Sequence, residues 1–133
     1  MSAGRYSFTI EQGATLDFEL AYKDSDNDPI DLTDYQGRMQ IRPSVGSDTV
    51  YITLSSSLEP DGTGLNFQGS DGLNPYTSGT IGIFISANSS SQLDFSEAVY
   101  DLEIASGSEY PIVTRLLEGK IQLSKNVTLG SFG

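Results

Sequence analysis

Val99-Tyr100-Asp101-Leu102-Glu103-Ile104, followed by Val113-Thr114-Arg115-Leu116-Leu117-Glu118-Gly119-Lys120-Ile121-Gln122-Leu123, is the stretch that decides the fold. Apolar and acidic residues alternate in its first half, the period of a strand with one buried and one wet face. A short polar turn joins the two halves. Together they read as the closing hairpin of a small β-sandwich.

Working outward, the same period-2 pattern recurs between clusters of turn residues. Tyr6, Phe8 and Ile10 alternate with Ser7 and Thr9; Leu16, Phe18, Leu20 and Tyr22 alternate with Asp17, Glu19 and Ala21. Lys23 to Asp28, closed by Pro29, is a polar turn, and Arg38 to Arg42 is the next strand, stopped by Pro43. Val50, Ile52 and Leu54 mark another, Leu65 and Phe67 a short one, and Thr80 to Ala87 one of nearly continuous apolar character. Gly69 to Gly79 is expected to be a long surface loop and the most mobile region. Asn88 to Phe95 suits a single capped helical turn anchored by Leu93 and Phe95. The fold class is therefore all-β, an immunoglobulin-like antiparallel β-sandwich of about 7–9 strands, in one domain spanning residues 1–133 with short flexible termini. Tyr100 stands where such folds place a tyrosine whose hydroxyl bonds back to the preceding corner. A half-buried strand tyrosine without that bond is the alternative. The expected core includes Tyr6, Phe8, Leu16, Phe18, Leu20, Ile41, Ile52, Phe84, Val99, Leu102, Ile104, Leu117 and Ile121.

Composition removes several function classes. With 18 acidic and 7 basic residues, net −11, the chain lacks the clustered cations that nucleic acid or an anionic membrane requires. Without cysteine or histidine it has no thiolate nucleophile, no disulfide, and neither the commonest metal ligand nor the commonest general base. Met1 to Arg5 does not read as a secretory signal, and no run approaches the ~18 apolar residues of a membrane span. A soluble chain made in a cytoplasm is the expectation.

Several short motifs, in order, are Ile10-Glu11-Gln12-Gly13-Ala14-Thr15, Asp24 to Tyr35 (DSDNDPIDLTDY), Arg38-Met39-Gln40-Ile41-Arg42, Gly79-Thr80-Ile81 to Ile85, the closing hairpin and Val127-Thr128. In that order and spacing the chain, from Phe8 to Thr128, resembles the immunoglobulin-like virion proteins of tailed bacteriophages, in particular the baseplate upper protein N-terminal domain family. The resemblance implies a non-enzymatic virion structural protein. It would be a tail, baseplate or neck adaptor subunit, assembled in symmetric copies with other virion proteins inside the host bacterium. Baseplate members of that family continue into a trimerising stalk, whereas this sequence stops at Gly133, which favours an adaptor or decoration role over receptor binding. A capsid decoration protein is one alternative. A carbohydrate-binding adhesion module, with Tyr51, Tyr76 and Tyr110 stacking on host sugars, is another.

Candidate chemistry is sparse, and no cofactor is expected. Asp24, Asp26 and Asp28 offer hard oxygen ligands at alternate positions, but Pro29 and Tyr35 stand where a calcium loop needs glycine and glutamate, so a solvated turn is preferred. Arg38, Arg42 and Arg115 are expected to pair with Glu103 or Glu118 across a sheet, or with a partner. Asp94 with Glu97, or Asp101 with Glu103, resembles a glycosidase pair only in spacing; tryptophan is absent and no aromatic platform supports it. Partner contacts are expected from the N-terminal arm at Arg5, the Gly69–Gly79 loop at Tyr76, and the tail at Phe132.

Overall fold

The computed structural model describes residues 4–107 and 109–127. Nine strands are present among them: β1 (Gly4–Arg5), β2 (Phe8–Glu11), β3 (Leu16–Ala21), β4 (Tyr35–Arg42), β5 (Ile52–Ser55), β6 (Gly64–Asn66), β7 (Thr80–Ile85), β8 (Glu97–Ser106) and β9 (Val113–Ser124). A 3-10 turn covers Tyr76–Ser78 and one short helix, α1, covers Ala87–Ser91. The larger sheet runs β1/β2, β9, β8, β4, β5; the smaller runs β3, β7, β6. This all-β sandwich departs from the expected all-antiparallel pattern at one edge. There β1 and β2 run parallel to β9, because the chain crosses to the other sheet immediately after β2 instead of hairpinning back.

Alternation explains which face each strand buries. On β8, Ala98, Tyr100, Leu102 and Ile104 are buried, and on β4, Met39 and Ile41 are, leaving Arg38, Gln40, Arg42, Asp101 and Glu103 on the outer face. The smaller sheet contributes Ile81, Ile83 and Ile85 from β7, facing Leu20, Phe18 and Leu16 of β3 in register. Both sheets share one cluster of buried apolar side chains, reached also by Leu32, Leu54, Leu65, Leu93 and Phe95.

Three residues expected in the core lie elsewhere. Phe84 and Val99 occupy the outward parity of their strands and are only half-buried, while Tyr6 is 49% exposed, stacked on Phe8 with ring centroids 5.7 Å apart. The Tyr100 hydroxyl does make a backbone bond, but its acceptor is the Tyr6 carbonyl at 2.6 Å, on the segment between β1 and β2, and not the preceding corner. Burial pushes that phenol up to about 12. Gly119 sits opposite Tyr100, and a Cβ there would stand 2.1 Å from the Tyr6 carbonyl oxygen, so glycine is what lets the N-terminal segment lie so close to β9.

A bulge in β9 has the largest consequence for the surface. Leu102 pairs with Leu117 and Glu103 with Arg115, leaving Leu116 as the extra residue. The parity of β9 inverts there. Arg115 and Glu118, three apart, consequently share the outer face, while Leu116 is buried and Leu117 packs against the core.

The Gly69–Gly79 loop is tied down. Ser70 N donates to Glu19 Oε1 at 3.0 Å, Asn74 N to the Gln68 carbonyl at 2.9 Å, and Leu32 N to the Tyr76 carbonyl at 2.9 Å. Helix α1 is capped by Ser86, whose hydroxyl accepts from Ser89 N, so the turn starts ahead of the expected Asn88 and the serine run lies inside it instead of capping it. No helix among the described residues is long and apolar enough to cross a membrane.

Candidate functional site

The outer face of the larger sheet carries three rows of side chains across β4, β8 and β9, set by register. Arg42, Val99 and Lys120 form the first; Gln40, Asp101 and Glu118 the second, with Arg5 of β1 beside Glu118; Arg38, Glu103 and Arg115 the third. Directly opposed residues on one face place their Cβ atoms about 5 Å apart. The rows line an open groove of about 600 Å³, rimmed at one end by Val45 and Gly46 of the β4–β5 loop.

The third row neutralises the second. Arg38 Nε lies 3.1 Å from Glu103 Oε1, and Arg115 lies 3.4 Å from both Asp101 Oδ2 and Glu118 Oε2. Arg38 with Glu103 is the cross-strand pair expected; Arg115 instead reaches Glu118 along its own strand and Asp101 across on β8, and being exposed each pair contributes at most ~1 kcal/mol. Partial burial raises the Asp101 pKa from its ordinary value, reinforced by Glu103 and opposed by Arg115. The first row has no such complement. Arg42 donates to Gln40 Oε1 and to the Ser47 carbonyl, and among the described residues neither Arg42, Lys120 nor Arg5 forms an ion pair with a carboxylate.

Charge is therefore strongly segregated. All four arginines and one of three lysines line the groove with three carboxylates, a local +2; the other two lysines and fifteen acids leave −13 for the remainder of the chain. Composition alone hides this, because register and a bulge create it.

The other expected site residues are dispersed. Tyr76 is half-exposed on its 3-10 turn and does not line the groove; Phe132 lies outside the described residues. Tyr51 stacks on Phe95 beside the Ile41 end of β4, whereas Tyr110 follows the β8 terminus that pairs with Tyr35 at the other end. Six residue rises of strand, about 20 Å, separate Ile41 from Tyr35, so the three tyrosines do not make one sugar-stacking platform. Asp94 is paired with Lys125 at 2.9 Å, and Asp101 and Glu103 belong to the arginine network.

Asp24, Asp26 and Asp28 do converge, with carboxylate oxygens within 4.8 Å of one another and all three exposed. Asp24 Oδ1 is already occupied in closing the turn, accepting from Asp26 N at 2.9 Å and Asp28 N at 3.0 Å, while Asn27 adopts a left-handed φ of 67°. Millimolar calcium should consequently leave the melting temperature nearly unchanged, since a ligand stabilises only as far as it occupies the native state. A large rise that disappears in Asp26→Ala would assign the turn to the metal.

One polar cluster escaped sequence reasoning. Asp61 Oδ2 accepts from Ser86 Oγ at 2.6 Å and Ser89 Oγ at 3.0 Å, and Oδ1 accepts from Thr63 N at 3.0 Å. The Ser86 hydroxyl foremost, then Thr63, hold this carboxyl well below its ordinary range. A carboxylate so stabilised is a poor general base for Ser86. The arrangement clasps the β5–β6 loop to the start of α1.

No protein-family model matches the chain, and no curated protein sequence matches it.

Proposed function

We propose that this chain is a non-enzymatic structural subunit of a tailed-bacteriophage particle, a tail, baseplate or neck adaptor that docks through the outer face of its larger sheet onto an acidic surface of a neighbouring virion protein. The carrying observation is the gathering of five of seven cations around one groove in a protein of net charge −11, with Arg5, Arg42 and Lys120 making no ion pair to a carboxylate among the described residues. Such a patch selects and orients an oppositely charged protein surface, and its contribution falls mainly on specificity and association rate. The order of sequence motifs that resembles the baseplate upper protein family supplies the virion setting. The dispersal of Tyr51, Tyr76 and Tyr110 weighs against the carbohydrate-binding alternative.

The test is incorporation. Particles purified from the lysate in which the chain is made should contain it at a fixed copy number. Arg42→Glu/Lys120→Glu should fold normally yet be incorporated at least ~10-fold less, because like charges brought face to face cost several kcal/mol. Absence of the wild-type chain from purified particles would end the virion reading. Normal incorporation of the double variant would end the role of this face.

A further inference from the structure

Resting on the docking role of this face, we infer that the acidic surface it receives belongs to a second copy of the same chain, so that copies associate head to tail. The complementary surface is on the same molecule. Asp17 and Glu19 project from β3 away from the core, and the turn that follows adds Asp24, Asp26 and Asp28, against Lys23 as the single cation of that stretch. This acidic line belongs to the smaller sheet and the groove to the larger, on opposite outer faces of the sandwich. Stacked sheets lie about 10 Å apart with the core between them, so the two surfaces cannot meet within one copy.

Between copies they can. Among the described residues β3 is an edge strand of the smaller sheet, paired only with β7, so its acidic side chains and the turn beyond it stand at a rim that can enter a groove. Val99, half-buried between Arg42 and Lys120, gives that end of the groove an apolar floor where water is readily displaced.

The charge pattern also fixes the kind of symmetry. A two-fold contact of groove on groove would bring two net-positive surfaces together, whereas groove on acidic rim is a heterologous contact, which closes into a ring or continues as a filament. Between chains of net −11, repulsion at long range is screened beyond ~8 Å at physiological ionic strength, while the groove contacts act at shorter range. Association should therefore appear at physiological salt and fade toward ~1 M, where screening reaches the contact distance itself.

Sedimentation velocity of the full chain, with increasing concentration, reads this directly. Wild type should form species larger than dimers. Arg42→Glu/Lys120→Glu, which reverses the charge at the unpaired end of the groove, and Asp24→Asn/Asp26→Asn/Asp28→Asn, which removes three of the rim's five charges but keeps the turn's acceptors, should each associate at least ~100-fold more weakly. An equal mixture of the two variants should give a dimer and nothing larger, since one intact groove then meets one intact rim. Lys120→Glu alone guards against a folding defect, because only the backbone of Lys120 makes a hydrogen bond. A wild-type chain that stays monomeric, one that stops at a two-fold dimer, or variants that fail to pair when mixed would each overturn the inference. If the wild type is monomeric while the groove variant is still lost from particles, the partner is another virion protein and only the self-docking fails.

Discussion

Ile83→Ala should destabilise the domain by about 2–5 kcal/mol, and Phe84→Ala, although it removes a larger side chain, by less. Ile83 is fully buried at the centre of β7, opposite Phe18 on one side and Leu65 on the other, so its truncation leaves a cavity between the two sheets. Phe84 points outward, half-buried against Gly62, and a surface position collapses or hydrates without trapping a void. At roughly 4 °C per kcal/mol for a domain of this size, the difference is readable by thermal melting or urea titration. A larger loss at Phe84 than at Ile83 would mean that β7 is out of register by one residue, which would turn its other side chains to the wrong face as well.

Gly119→Ala should cost about 1–3 kcal/mol, as overpacking commonly does, through displacement of the N-terminal segment. The clashing atom is backbone, the Tyr6 carbonyl, so no rotamer change relieves it; either Tyr6 moves or β9 does. Because that carbonyl is also the acceptor of the Tyr100 hydroxyl, Gly119→Ala and Tyr100→Phe should be non-additive, each weakening a junction the other has already loosened. Tyr100→Phe alone should cost about 1–3 kcal/mol for the unpaired carbonyl. The same bond carries an alkaline signature. The folded-state pKa of Tyr100 lies above the unfolded value near 10, so its contribution is complete below pH 10 and is lost as pH rises toward 12. In Tyr100→Phe the decline over that window should be shallower. An unchanged alkaline profile would show that the hydroxyl is not held as described.

Local pattern and long-range register divide what could be read from the sequence. The alternation in β3 and β8 declares itself within six residues, and the serine run ending in Leu93 and Phe95 gives the helical turn and its anchors, though not its cap at Ser86. Thr80–Ile85 is apolar on both parities, so nothing local distinguishes Ile83 from Phe84; the partner strands decide. Val99 misleads for the opposite reason, being an apolar residue on an otherwise polar parity that the groove uses. The β9 bulge has no signature in Leu116-Leu117, because a bulge is defined by a mismatch of two strands. Yet it is the bulge that brings Arg115, Glu118 and Lys120 onto one face. Arg38 and Arg115 could be matched to Glu103 and Glu118 from the sequence, whereas the joining of Arg5 to them depended on a parallel pairing of the N-terminal strand with β9, and that of Lys120 on the register of β9 against β8.

A cryo-electron map of the assembled particle tests most directly the claim that the outer face of the larger sheet is the docking surface. The expected result is density of a neighbouring protein seated in the groove, with carboxylates within ion-pairing distance of Arg42 and Lys120 and an interface above ~1,000 Å² in total. A groove open to solvent, with the chain held to its neighbours through other surfaces, would contradict it.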